Sequence, residues 1–191
     1  MDLFVIADCH DKAQPLLSVA STAGYRLLKL LGADDDDASR YVESLRPDAV
    51  ILFSDEIDGP VMHKIKTILE NVPTPLLVFT RDSRSESINP AVSAGISAYV
   101  VDCNMPERFD SLLKVAVARF HAQQQLREEL RLTKNALQDR KRIEKAKGII
   151  MKTKRLSEDQ AYKAMRTLAM NHNKRIGEVA EQIISASEVL V

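Results

Sequence analysis

The densest concentration of chemistry-bearing side chains in the 191 residues lies late in the chain, at Arg140-Lys141-Arg142-Ile143-Glu144-Lys145-Ala146-Lys147-Gly148-Ile149-Ile150-Met151-Lys152-Thr153-Lys154-Arg155. Eight of these sixteen residues are basic and one is acidic. Cations at this density attract polyanions, above all nucleic-acid phosphates, with an affinity that falls as salt rises. Ile143, Ala146, Ile149 and Ile150 recur among them at helical spacing, which predicts a helix that packs one side and presents cations on the other. Gly148 falls inside that helix, where it costs ~1 kcal/mol relative to alanine. The cost points to close approach by another backbone: a packed helix is the favoured expectation and nucleic acid the alternative.

A second set of reactive side chains follows short apolar runs in the first half. Asp8 closes Leu3–Ala7, Ala49–Phe53 runs into Ser54-Asp55, Pro75–Thr80 ends in Thr80, and Asp102 follows Ser97–Val101. Runs this short, closed by polar residues, predict buried strands. A further apolar stretch, Tyr25–Leu31, completes five. Helical spacing fills the gaps: Ala13–Ala23 up to Gly24, a helix opened by Asp34–Asp37 and ended before Pro47, Val61–Leu69, and Ser87–Ala94 up to Gly95. Four acids at a helix start suit the positive end of its dipole better than they suit a metal. Strands alternating with helices imply a parallel, doubly wound sheet whose functional crevice lies at the strands' carboxyl ends.

Charge divides the chain. Lys+Arg and Asp+Glu both total 27, but residues 1–110 carry 10 basic and 18 acidic residues, or −8, and residues 111–191 carry 17 and 9, or +8. No P-loop, GxSxG or zinc-ligand spacing is present, His10, His63, His121 and His172 are scattered, and Cys9-His10 is a weak metal signal. An enzyme is therefore not expected, and no cofactor or metal is implied. No apolar run approaches the ~20 residues of a membrane span. With no basic leader in Met1–Asp8, and with Cys9 and Cys103 far apart as reduced thiols, the expected location is the cytoplasm.

At the strand ends the chain resembles the receiver domain of two-component response regulators over about its first 105 residues. Receivers carry an acidic pair after strand one, a phosphorylatable Asp ending strand three, Ser/Thr ending strand four and Lys ending strand five. Asp8 matches the second acid, with Ala7 in the place of the first; Thr80 matches; Phe53 stands at the phospho-acceptor and Asp102 replaces the Lys. Phe53 supplies no oxygen nucleophile, and Asp102 adds negative charge where a cation should offset the transferred phosphoryl group. Asp55, two residues on, is a remote substitute acceptor. The resemblance thus implies a flavodoxin-like fold without phosphate chemistry, a pseudo-receiver.

From Glu107 to about Thr153 no proline interrupts a run of helix formers, and Leu126, Leu130, Thr133 and Leu137 follow the 4-3-4 spacing of a coiled-coil seam. Such a spacer favours a parallel homodimer. Ser157-Glu158-Asp159-Gln160 is a capping box for the next helix, with Ala161, Met165, Leu168 and Ala169 as its inner stripe and Met165 and Met170 as core filler. Asn173 is the expected cap of a last helix with Ile176, Val179, Ala180 and Ile183 inward. Lys174 and Arg175 at its start oppose the helix dipole, a hint of binding.

The stretch from about Arg140 to Leu190 resembles the ANTAR domain, the RNA-binding module of certain bacterial transcription antiterminators. The likeness rests on Arg142-Ile143-Glu144-Lys145-Ala146-Lys147-Gly148-Ile149-Ile150-Met151, Ser157-Glu158-Asp159-Gln160-Ala161-Tyr162, Met165-Arg166 and Val179-Ala180-Glu181-Gln182-Ile183-Ile184. Receiver-like domain, helical spacer and ANTAR module together resemble the NasT/AmiR type of regulator, with Gly95–Asp102 and Val117–Phe120 leaning towards nitrate assimilation. The resemblance implies a protein, usually dimeric, that holds stem-loops of a nascent leader transcript so that RNA polymerase passes a terminator, under control of a sensor protein. Arg140, Lys141, Arg142, Lys145, Lys147 and Lys152 are the candidate phosphate or loop contacts, Arg166, Lys174 and Arg175 a second tier, and Ala146 and Gly148 the points of close approach. The expected organisation is a receiver-like domain at 1–106, a helical coiled-coil spacer at 107–139 and an all-α three-helix domain at 140–191. A DNA-binding response regulator and a protein-interaction adaptor are the rival readings.

Overall fold

The computed structural model describes residues 1–8, 10–32, 35, 37–102 and 108–189. Cys9, Asp34, Asp36, Cys103, Glu107 and Leu190, named above, lie outside them, as does the side chain of His10. The described chain forms two compact units, Met1–Gln124 and Gln125–Val191.

In the first unit five strands, β1 (Asp2–Ala7), β2 (Arg26–Gly32), β3 (Ala49–Phe53), β4 (Leu76–Thr80) and β5 (Ala98–Val101), pair in parallel in the order β2-β1-β3-β4-β5. Parallel neighbours need crossovers, supplied by α1 (His10–Thr22), α2 (Ala38–Leu45), α3 (Gly59–Asn71) and α4 (Ser85–Ala94). The sheet is therefore covered on both faces, and β3 and β4 are buried along their whole length. Alternation of side chains splits the core: Val5, Ala7, Ile51 and Phe53 pack with residues of α1 and of the long helix that begins at Phe109, while Phe4, Ile6, Val50 and Leu52 pack with α2 and α3. The flavodoxin-like expectation is met.

Local chemistry fixes the helix ends. The Asp58 carboxylate accepts from the Val61 N–H at 3.0 Å at the start of α3, and α4 stops where Gly95 turns to φ 99°, a conformation other residues adopt at a cost. One expectation is met in part. Asp37 is the N-cap residue of α2, as expected of an acid at a helix start, but its side chain makes no capping hydrogen bond. The helix starts at Ala38 with no acid in its first turn, and the Asp37 N–H is held by the Asp35 side chain at 2.9 Å. Asx side chains commonly satisfy the backbone two residues on, as Asp35 does here for Asp37.

α5 (Phe109–Lys154) is one helix of 46 residues, about 69 Å at 1.5 Å per residue. Phe109, Leu113 and Ala116 bury its first turns against the sheet, whereas Leu126, Leu130, Leu132 and Leu137 are exposed.

In the second unit the end of α5, α6 (Glu158–Asn171) and α7 (Ile176–Val189) enclose Ala146, Ile150, Ala161, Met165 and Ala180. The capping box is formed: the Ser157 N–H donates to Gln160 Oε1 at 2.9 Å, and the Gln160 N–H to Ser157 Oγ at 3.3 Å. Three side chains depart from expectation. Leu168 and Met170 are 42% and 72% exposed, because the inward arc of α6 is filled by Ala161, Met165 and Ala169. Asn173, at φ 51°, ends α6 rather than opening α7; the start of α7 is capped instead by Glu178, whose carboxylate accepts from the Arg175 N–H at 3.1 Å.

Candidate nucleic-acid interface and receiver-like site

The carboxyl edge of the sheet gathers Asp8, Asp55 and Thr80 into one hydrogen-bonded loop system. Asp8 accepts from Ser54 Oγ at 2.5 Å and from the Asp55 N–H at 3.3 Å. Thr80 Oγ1 donates to the Asp55 carbonyl at 3.0 Å and accepts from the Asp82 N–H at 3.0 Å. The Asp55 carboxylate lies 3.9 Å from Arg81 Nε. Phe53 is turned into the core, stacked on Phe79 with centroids 5.2 Å apart, and Phe79 in turn meets Phe109 at 6.1 Å. Asp102 is exposed, with a left-handed backbone.

Ser54, Asp82, Arg84 and Tyr99 complete this system, and of these Asp82 and Arg84 carried no sequence signal of their own. The Asp82 carboxylate is nearly inaccessible and accepts from Arg84, from Ser87 Oγ at 2.6 Å and from the Ile57 N–H. The Arg84 guanidinium first, then Ser87 and the backbone donors, hold it far below the usual carboxylate range. Tyr99 Oη donates to the Asp82 carbonyl at 2.9 Å, and burial raises its pKa. An open cavity of about 850 Å³ beside the edge is lined by Asp8, Asp55, Glu56, Asp58, His63 and Lys64 among others. Among the described residues no group of three or more His, Cys, Asp or Glu is placed to hold a metal ion.

In the second unit the basic run divides by helical phase. Ala146 and Lys147 face inward, at 0% and 8% exposure. Lys147 Nζ donates to Glu158 Oε1 at 2.6 Å and to Glu144 Oε1 at 2.9 Å, which raises its pKa and ties α5 to the first turn of α6. These two residues are thus packing and tethering groups, although their types alone suggested contact with a ligand. Arg142 is half-buried between Asp139 at 3.5 Å and Glu181 at 3.2 Å.

Lys141, Lys145, Gly148 and Lys152 follow a 4-3-4 spacing on the side of α5 opposite Ile143, Ala146 and Ile150, and the three lysines are exposed. Arg140 is exposed beside them, as are Arg166 on α6 and Lys174 and Arg175 between α6 and α7. At Gly148 an added Cβ would meet no atom within 4 Å. The favoured expectation of a helix packed on this glycine is therefore not met, and the gap in the lysine stripe opens outward. No described helix is long and apolar enough to cross a membrane.

Residues 131–184 match the ANTAR domain family. Over 74 residues the chain is 39% identical to a nitrate regulatory protein of Klebsiella oxytoca, a match covering 39% of this chain and 19% of that protein, about a fifth of its length. Over 166 residues it is 28% identical to the transcriptional regulatory protein PdtaR of Mycobacterium tuberculosis, covering 84% of this chain and 78% of the relative. Among solved structures, the signal receiver domain of a modulated diguanylate cyclase from Desulfovibrio desulfuricans superposes with a TM-score of 0.55 at 16% identity, over 64% of this chain and 97% of that one. A two-component response regulator from Clostridium difficile does so at 0.53 and 21%, over 62% and 97%. At such identities the likeness shows the fold alone, and that fold is the receiver's.

Proposed function

We propose that the chain is an ANTAR-domain response regulator, a regulator rather than an enzyme, that acts as an RNA-binding transcription antiterminator. The observation that carries the proposal is the lysine stripe of α5, which faces away from the core and is interrupted only by Gly148. Phosphate contacts on such a face supply salt-dependent affinity, and the unpaired bases of a stem-loop are open to side chains as duplex bases are not. Arg140, Lys141, Lys145 and Lys152 are the primary phosphate contacts, with Arg166, Lys174 and Arg175 secondary. Holding the stem-loops of a nascent leader keeps a terminator from forming, so RNA polymerase reads through.

Control is assigned to a sensor protein that docks on the receiver-like unit, because Phe53 offers no acceptor oxygen and Asp102 no cation. The exposed Leu126, Leu130 and Leu137, with Thr133 in register, support a parallel homodimer along α5. The Klebsiella relative is a nitrate regulatory protein, which supports a nitrate-linked role, with nitrate or nitrite assimilation in the cytoplasm as the setting this reading takes.

The test is a titration of the full chain against a paired-hairpin leader RNA, a loop-scrambled version and duplex DNA at several salt concentrations. Preference for the intact loops is the expected result. Preference for duplex DNA would make the protein a DNA-binding regulator, and equal, weak binding to all three would leave an adaptor with an electrostatic patch.

A further inference from the structure

We propose that the groove between α5 and α7 is a pocket for one unpaired guanine base of the bound RNA, and that Glu181 selects it. This rests on the RNA-binding reading above and adds the source of its sequence preference.

The groove encloses about 370 Å³ between Lys141, Arg142 and Lys145 on α5 and Glu181, Ile184 and Ser185 on α7. That volume falls in the ~300–1,000 Å³ range of small-ligand pockets. Residues 181, 184 and 185 lie three and four apart, so one face of α7 presents a carboxylate, an aliphatic side chain and a hydroxyl together. A phosphate is ill suited to this wall, since the Glu181 carboxylate would repel it. A nucleobase is well suited: its flat face covers the half-buried Ile184, and its edge supplies N–H groups to the carboxylate.

A carboxylate only accepts hydrogen bonds. Of the four bases, guanine alone offers two adjacent donors, N1–H and the N2 amino group, on its Watson–Crick edge, a match for the two oxygens of Glu181. The carboxylate is held in place for this. Arg142 Nη2 contacts it at 3.2 Å, and Arg142 Nη1 is anchored by Asp139 Oδ1 at 3.5 Å. Asp139 itself fits against the first turn of α7 because residue 177 is glycine: a Cβ there would lie 2.6 Å from Asp139 Oδ1. Gly177, Asp139 and Arg142 thus form a chain of positioning contacts ending at Glu181. The phosphates flanking the base fall to Lys141 and Lys145 at the rim. Positioning by phosphates and selection by a base edge are then divided between the two helices.

The experiment selects, from hairpins with one fixed stem and fully randomised loops, those retained by the full-length protein, and repeats the binding with guanine replaced by inosine, which lacks the N2 amino group. The wild type is expected to fix guanine at one loop position and to lose roughly tenfold in affinity with inosine there. Glu181→Gln, which turns one of the two acceptors into a donor, should cut that discrimination to under about threefold while leaving the salt slope unchanged. Glu181→Asp, checked for wild-type helicity, should behave in the same direction if Glu181→Gln fails to fold. Guanine–inosine discrimination that survives in the folded variants, or selected loops without a fixed guanine, overturns the base pocket alone. A wild type that enriches no loop at all overturns the RNA reading, and the pocket with it.

Discussion

Replacing Phe53 by aspartate puts a carboxylate at the position that the receiver resemblance assigns to the phosphate acceptor, and the structure says what that costs. The Phe53 ring is 8% exposed, stacked on Phe79 at 5.2 Å, with Phe79 continuing to Phe109 at the start of α5. Removing a buried phenylalanine costs about 3–5 kcal/mol, of which the aromatic pair contributes about 0.5–1.5. The new carboxylate adds to this. Asp8 nearby is itself an acceptor, already engaged by Ser54 and the Asp55 N–H, and Asp102 stands where the receiver resemblance puts a lysine. For a unit of this size the melting temperature should fall by roughly 10 to 20 °C. Calorimetry of the full chain, with Phe53→Leu as a control that costs about 1 kcal/mol, reads the stability. Acetyl phosphate labelling reads the chemistry, and neither wild type nor variant should take up phosphate. A Phe53→Asp protein that melts within about 2 °C of wild type and becomes labelled would refute the view that packing has replaced phosphorylation here.

Three further outcomes are expected. Lys147→Gln should lower the melting temperature of the C-terminal unit and leave the salt slope of RNA binding intact, whereas Lys145→Gln and Lys152→Gln should each flatten the slope by about 0.7 without changing the melt. Gly148→Ala should stabilise α5 by about 0.5–1 kcal/mol, since its backbone is helical and the space is open, yet weaken RNA binding measured by filter retention. Because the folded-state pKa of Asp82 is depressed, its contribution to stability is complete above the unfolded carboxylate value near ~3.9 and is lost as pH falls below it. Acid titration followed by circular dichroism should therefore show a flatter profile below about pH 4 for Asp82→Asn than for wild type.

The sheet was legible because its strands are short apolar runs closed by Asp8, Thr80 and Asp102, with Gly24 and Gly95 ending helices between them. Period and punctuation suffice for strands such as β3 and β4 that are buried along their whole length. The loop system at the carboxyl edge was not legible in the same way. Asp82 meets Tyr99 only because β4 and β5 pair in register, and it meets Ile57 only because two loops fold over one edge. No local pattern encodes such contacts. The end of the spacer was hidden for the opposite reason, since α5 runs unbroken from Phe109 to Lys154 and no breaker marks a change of role.

The basic run shows where composition stops being informative. Lys145 and Lys147 are the same residue type two positions apart, so helical geometry places them about 200° apart around α5. Lys145 joins the outward stripe; Lys147 is drawn inward because α6 begins with Glu158, whose carboxylate lies 2.6 Å from Lys147 Nζ. That partner is eleven residues away, beyond any i, i+4 rule, and only the turn of the chain at Arg155 brings it back. Ala146 marks the inward side and Gly148 the outward one, so a phase anchored on Ile143, Ala146 and Ile150 separates the two lysines before any contact is known. Counting cations gives eight candidates; phasing them against the core is what distinguishes a lysine that holds the domain together from one that faces a polyanion.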